Sequence, residues 1–127
     1  MLELRDVNAS IGNIPILRNL NFSIDEAQTV ALIGRNGAGK TTLLRTIMGF
    51  TRASGDILFD GKSITAMHPP KRPGLGIGYA PEDRRLFSAF TVEENILLPA
   101  QAQEVADSDR LFERFNRGMF GATFVLA

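Results

Sequence analysis

Cysteine is absent from the 127 residues. That excludes disulfide frameworks, thiolate zinc sites and cysteine nucleophiles, and an intracellular location is expected. An excess of either charge is also missing: fourteen basic residues balance fourteen acidic ones. A neutral chain has no long-range field to hold a polyanion, so no nucleic acid partner is expected. Long apolar runs are lacking too. None approaches the ~20 residues that cross a bilayer, and residues 1–8 alternate apolar and charged side chains with no secretory hydrophobic region. The expectation is a soluble chain with no direct membrane insertion, any membrane association going through a partner. Histidine occurs once, as His68 in a proline-rich stretch, where a solvated side chain is the ordinary outcome.

What is present suits a folded domain. Apolar residues make up 44% and charged residues 22%, an ordinary globular mix that makes disorder the wrong default. The length fits one domain, or part of a larger one, able to bury roughly two-thirds of its unfolded surface.

Leu2, Leu4 and Val7 alternate with polar residues and read as a half-buried strand. Gly12-Asn13 then suggests a hairpin turn before residues 14–17, and Leu20, Phe22 and Ile24 alternate again. Residues 29–33 differ: Val30-Ala31-Leu32-Ile33 is a continuous apolar run, which suits a strand covered on both faces in a parallel sheet. A glycine-rich loop follows at once, then Leu43, Leu44 and Ile47 at helical spacing, with Gly49 as the stop. Asp60-Gly61 between short apolar segments is a hairpin signal, since the tight turn needs positive φ. Residues 67–74, rich in proline and basic side chains, read as a loop, and 77–80 as a second core strand. Thr91 with Glu94 three residues on forms a capping box for a helix that Pro99 ends, and Leu111, Phe112 and Phe115 suggest one more helix. Antiparallel strands followed by strand, loop and helix indicate an α/β domain with a β-rich N-terminal subdomain.

Gly34, Arg35, Asn36, Gly37, Ala38, Gly39, Lys40 and Thr41 match the phosphate-binding pattern G-x-x-x-x-G-K-S/T. Glycines let the backbone curl so that successive N–H groups face an anion, where a side chain would block the approach. The loop opens a helix, whose N-terminus carries roughly half a positive charge and unpaired donors. Lys40 reaches the β- and γ-phosphates, and the Thr41 hydroxyl is a hard oxygen ligand of the kind Mg²⁺ prefers. Chance places the pattern in a chain this long about half a percent of the time.

The wider run 30–44 resembles the Walker A region of ATP-binding cassette (ABC) ATPases. Ser54-Gly55-Asp56-Ile57-Leu58-Phe59-Asp60-Gly61 resembles the strand and hairpin after that family's first helix. Gly76-Ile77-Gly78-Tyr79-Ala80-Pro81-Glu82 is similar to the strand leading into its Q-loop. Leu86-Phe87 and Thr91-Val92-Glu93-Glu94-Asn95 are similar to the family's segment just after the Q-loop. The resemblance covers residues 1–99 and fits best with the ATPases of branched-chain amino acid importers; residues 100–127 form an atypical or truncated end. The fold this implies is the N-terminal part of a P-loop NTPase, an antiparallel β subdomain plus an incomplete parallel core sheet. The resemblance further implies that residues 34–42, Thr42 included, hold ATP and Mg²⁺. Lys40 and Glu82 take the catalytic positions, and Thr41 and Glu82 the metal positions. The partners implied are a second ABC ATPase subunit and transmembrane permease subunits, at the cytoplasmic face of the cell membrane.

Two positions depart from the family pattern. Glutamine is usual where Glu82 stands; a carboxylate can ligate Mg²⁺ but repels the γ-phosphate. An aromatic residue usually stacks on adenine near the position of Ile11, so base recognition here rests on weaker apolar contact. The signature segment (Leu-Ser-Gly-Gly-Gln), the apolar strand ending in Asp-Glu and the switch histidine are not in the sequence. Hydrolysis by these residues alone is therefore not expected. Three readings compete: a transporter ATPase subunit, a P-loop kinase or GTPase, and a stub that binds nucleotide without turning it over. The β-rich start and the hairpin after the helix speak against the second. Of the remaining features, Glu93 and Glu94 read as capping groups. Lys71, Arg72, Arg84 and Arg85 read as a solvated surface or an anion or permease contact, and Phe87 and Phe90 as local core or docking anchors.

Overall fold

In a computed structural model of the chain, residues 1–80 and 87–95 are described, together with the backbone of 122–125. The chain divides into two units, Met1–Arg72 and Pro73–Ala127.

Two tight turns organise the first unit. Gly12, at φ 57°, turns strand β1 (Leu2–Ile11) into β2 (Ile14–Ile24), which run antiparallel with Ile11 opposite Ile14 and Leu2 opposite Ile24. Asp60 and Gly61 both take positive φ, 48° and 74°, and turn β3 (Ala53–Phe59) into the short β4 (Lys62–Ser63). That is the backbone a two-residue hairpin demands. β1 also pairs antiparallel with β3, so the sheet order is β2-β1-β3-β4.

The strands are longer than the alternation predicts, because the alternation changes phase. Leu2 and Leu4 are buried, and then Val7 and Ala9. An odd step in a strand would send Val7 to the outer face unless an extra residue restores it. Asp6 is that residue, at φ 48°, and the register against β2 shifts there. Asn19 does the same in β2 at φ 46°. Polar side chains hold the distortion: the Asp6 N–H donates to Asn21 Oδ1 at 2.8 Å and Asn21 Nδ2 donates back to Asp6 Oδ1 at 2.9 Å. The Asn19 N–H donates to Asn8 Oδ1 at 2.9 Å.

Helix α1 (Lys40–Ile47) buries Leu43, Leu44 and Ile47, with Met48 beyond its end. Together with Ile57, Phe59 and Ile64 they form the apolar core of this unit. Gly49 follows at φ 81°, the left-handed conformation that closes a helix.

The expected strand at 29–33 does not form. No residue of 29–33 is in a ladder, and Val30, Leu32 and Ile33 are 55%, 43% and 90% exposed. A strand buried on both faces exists only when neighbours satisfy its backbone and cover its side chains. Among the described residues nothing pairs with it, so the run is irregular chain leading into the loop.

In the second unit a 3-10 turn, Pro73–Leu75, precedes β5 (Ile77–Ala80), the strand predicted there. It pairs parallel with β6 (Ala122–Val125), Ile77 opposite Ala122 and Ala80 opposite Val125. The capping box also forms. The Glu94 N–H donates to Thr91 Oγ1 at 3.2 Å, and the Thr91 N–H donates to Glu94 Oε2 at 2.7 Å, starting the helical turn 92–95. Asn95 folds the preceding turn onto it, accepting from the Phe87 N–H at 2.9 Å and donating to the carbonyls of Phe87, Phe90 and Thr91. Phe87 and Phe90 are exposed and stack on each other at 5.6 Å. The expected helix end at Pro99 and the helix around Leu111, Phe112 and Phe115 lie outside the described residues, as do Arg84 and Arg85.

Candidate functional site

The glycine-rich loop is built by two left-handed residues and one turn. The Ala38 N–H donates to the Arg35 carbonyl at 3.0 Å, Gly37 takes φ 83° and Gly39 φ 93°. A side chain at Gly39 would be wrong on two counts: the left-handed backbone, and a Cβ that would stand 3.0 Å from Ile16 Cγ2 and 3.3 Å from Leu17 Cδ2. The loop therefore lies against β2 because its last glycine has no side chain. From Gly39 the chain enters α1 directly, with the Leu43 N–H donating to the Gly39 carbonyl at 2.8 Å.

The N-terminus of α1 has no side-chain cap and no acidic residue in its first turn. Its first N–H groups have no intrahelical partner, and the positive end of the helix is left unneutralised by its own sequence. Lys40, half-buried, arches back over the loop: its Nζ donates to the Gly34 carbonyl at 2.7 Å and to the Arg35 carbonyl at 3.3 Å. Gly34 is also close-packed, a Cβ there meeting Ala38 Cβ at 3.3 Å. Arg35, Asn36, Gly37, Ala38 and Thr41 are exposed. Thr42 differs, being only 7% exposed and turned toward the core side of the helix. The arrangement is a glycine-rich turn leading into an uncapped helix start, with one ammonium held across it by two loop carbonyls.

Ile11 lies in the same unit, at the tip of the β1–β2 hairpin and 58% exposed. It stands opposite Ile14, and β2 carries the Ile16 and Leu17 side chains that meet Gly39. Glu82 lies outside the described residues. His68 is exposed, as expected of a solvated side chain.

Arg72 corrects the expectation of a solvated surface, being only 1% exposed. Its guanidinium donates to the carbonyls of Thr46 and Ile47 at the end of α1, and to those of Thr65 and Met67 in the loop before it. Burial alone pulls its pKa down from the ordinary guanidinium range. No carboxylate pairs with it among the described residues, so the negative end of the helix and the carbonyl oxygens balance its charge. Gly49 makes room: a Cβ there would stand 2.8 Å from Arg72 Cζ and Nε. A basic residue between prolines and lysine gives no sequence sign of burial; the one available signal is the glycine closing α1.

A family model for ABC transporters matches residues 17–125. The chain belongs to the ABC transporter family. It is 37% identical over 114 residues to the methionine import ATP-binding protein MetN of Rhizobium johnstonii, which covers 87% of this chain and 32% of that protein. It is also 37% identical over 111 residues to a probable branched-chain amino acid transport ATP-binding protein, LivF, of Archaeoglobus fulgidus, covering 84% and 47%. The spermidine/putrescine import ATP-binding protein PotA of Thermotoga maritima is 34% identical over 109 residues, covering 85% and 29%. Among solved structures, the ATP-binding subunit of an ABC transporter superposes with a TM-score of 0.75 at 29% identity, covering 98% of this chain and 54% of that one. The chain thus spans about a third to a half of the length of these ABC relatives, and the likeness runs across importers named for different cargoes at nearly equal identity. The α/β P-loop fold expected from the sequence is the fold of its ABC neighbours. Among the described residues no helix is long and apolar enough to cross a membrane.

Proposed function

We propose that residues 34–42 bind the phosphates of ATP, and that the chain serves as the ATP-binding subunit of an ABC importer carrying branched-chain amino acids or similar small solutes. The observation that carries this reading is the uncapped start of α1 behind the left-handed Gly37 and Gly39, with Lys40 across the loop. Backbone N–H groups there would take the phosphate oxygens, and Lys40 would exchange its carbonyl partners for the β- and γ-phosphates. Mg²⁺ fits the donors available: the Thr41 hydroxyl is an exposed hard oxygen in the first helical turn, and Glu82 would supply a carboxylate. When bound, the metal neutralises charge on the phosphate oxygens. A second ATPase subunit and transmembrane permease subunits would complete the machine at the cytoplasmic face of the membrane.

The test is a titration of labelled ATP against the folded chain and its Lys40→Ala variant. Losing a charge-assisted contact costs about 1.5–3 kcal/mol, roughly ten- to hundredfold in affinity. Equal affinities would remove the loop from the assignment.

A second reading concerns turnover, and the motif content favours it. Phosphoryl transfer needs an oriented water, metal held from a second side and further charge stabilisation. The 127 residues contain neither the signature segment nor an apolar strand ending in Asp-Glu. We infer that the chain alone binds nucleotide without sustained hydrolysis. Steady-state phosphate release at the level of the Lys40→Ala control is the expected result; Lys40-dependent multiple turnover would refute it.

A further inference from the structure

We propose that Arg72 is a positioning residue for the phosphate site, a buried cation at the far end of α1 that strengthens binding in proportion to the ligand's phosphate charge. The inference rests on the ATP-binding reading above. Helix α1 is eight residues long, so its two ends are about 12 Å apart. Its first turn opens on the loop, and its last carbonyls, from Thr46 and Ile47, accept hydrogen bonds from the Arg72 guanidinium. The consequences are two. The guanidinium covers the negative end of the helix dipole, which would otherwise oppose an anion approaching along the axis. It also adds a full positive charge behind the loop. At 1% exposure that charge is screened far less than a surface cation. Arg45 is the internal comparison, because it sits in the same last turn of α1 but is exposed.

The carbonyls of Thr65 and Met67 fix where the charge sits, since they accept from the same guanidinium at 3.0–3.2 Å. On its other side the guanidinium packs against the bare backbone of Gly49, where a Cβ would stand 2.8 Å from Arg72 Cζ. The Thr65–Met67 loop and α1, both in the first unit, are thereby joined through one side chain. The guanidinium and a bound phosphate each lie about 3 Å beyond the helix ends, so at about 18 Å and an effective dielectric of about 40 a unit charge changes affinity about twofold per phosphate charge.

The experiment measures AMP, ADP and ATP affinities for the 127-residue chain and for Arg72→Met, Arg72→Gln, Arg72→Lys and Arg45→Met, each corrected for its folded fraction from thermal unfolding. The expected result is a loss that grows about twofold with each added phosphate charge in the two neutral Arg72 variants. Arg72→Lys, which keeps the charge, and Arg45→Met, which removes an exposed one, should show no such graded loss, and the graded loss in the neutral variants should shrink in high salt. A uniform loss across the three nucleotides, or none, would overturn the proposal while leaving Lys40-dependent ATP binding intact. If both neutral variants fail to fold, the proposal is overturned as well, because Arg72 would be a requirement of the fold and not a tuner of affinity. If the wild-type chain shows no Lys40-dependent ATP binding, the underlying reading fails and takes this one with it.

Discussion

Replacing Gly49 by alanine tests the Arg72 seat without touching a charge. Two costs add. Gly49 sits at φ 81°, and a left-handed residue with a Cβ costs about 1–2 kcal/mol. The new methyl would also stand 2.8 Å from Arg72 Cζ and Nε and 2.9 Å from Nη2, where carbon contacts are comfortable only at about 3.5–4.0 Å. The guanidinium must therefore withdraw by roughly 0.7–1 Å, enough to break its shorter bonds to Ile47 and Met67. Two charge-assisted bonds lost inside the protein cost about 3 kcal/mol or more. The sum, about 4–5 kcal/mol, approaches the whole stability of a small domain. Urea unfolding with linear extrapolation reads it, with Gly12→Ala as the control. Gly12 shares the positive φ but has nothing within 4 Å of its would-be Cβ, so only the conformational cost of about 1–2 kcal/mol applies. In an Arg72→Met background the clash with the guanidinium disappears, and Gly49→Ala should cost about as much as Gly12→Ala. If Gly49→Ala and Gly12→Ala are equal in the wild-type background, the guanidinium does not sit against Gly49.

The carboxyl of Glu94 is held below its ordinary range by the Thr91 N–H and then by the Thr91 hydroxyl, so its folded-state pKa is depressed. The capping contribution is therefore present above the ordinary glutamate range and lost as pH falls through the depressed value. Carboxyl NMR titration should place the Glu94 midpoint below that of an unstructured glutamate, and Thr91→Val should raise it; a midpoint at the peptide value would contradict the box. Asn95→Ala removes the acceptor of the Phe87 N–H, so amide exchange at Phe87 should accelerate by an order of magnitude or so while Lys40-dependent ATP affinity stays unchanged. Ile11→Tyr should tighten ATP binding more than tripolyphosphate binding, by up to about 1–3 kcal/mol if the ring meets the base. An equal change for both ligands would place Ile11 away from it.

What the sequence disclosed was local. The turns at Gly12 and at Asp60-Gly61, the helix with Leu43, Leu44 and Ile47 inward, its stop at Gly49 and the Thr91–Glu94 box each depend on a few adjacent residues, and each stands where their chemistry requires. Three features escaped for different reasons. The run at 29–33 has the composition of a buried strand, but a strand is a property of its neighbours, and none of the described residues pairs with it. Asp6 and Asn19 drew no notice in the sequence, whereas they are the extra residues that let both Val7 and Leu17 face inward. Arg72 looked solvated because its partners at Thr46 and Ile47 lie a helix and a hairpin away along the chain. Within the candidate site, the donors of the loop and Lys40 were legible from spacing, whereas the seating of Gly39 on Ile16 and Leu17 needed coordinates.

The parallel pairing of β5 with β6 has a consequence for how the chain reaches its structure. The β1–β2 hairpin closes through Gly12 and Asn13 and can zip within microseconds of leaving the ribosome. Among the described residues β5 pairs only with Ala122–Val125, far along the chain. The entropy of closing that long loop is lost before any of its ladder bonds form. The first unit can thus assemble around α1 early, while the one ladder that Ile77–Ala80 forms among the described residues waits until residue 125 has been made. The interval is when this chain is most open to pairing with a strand of another molecule.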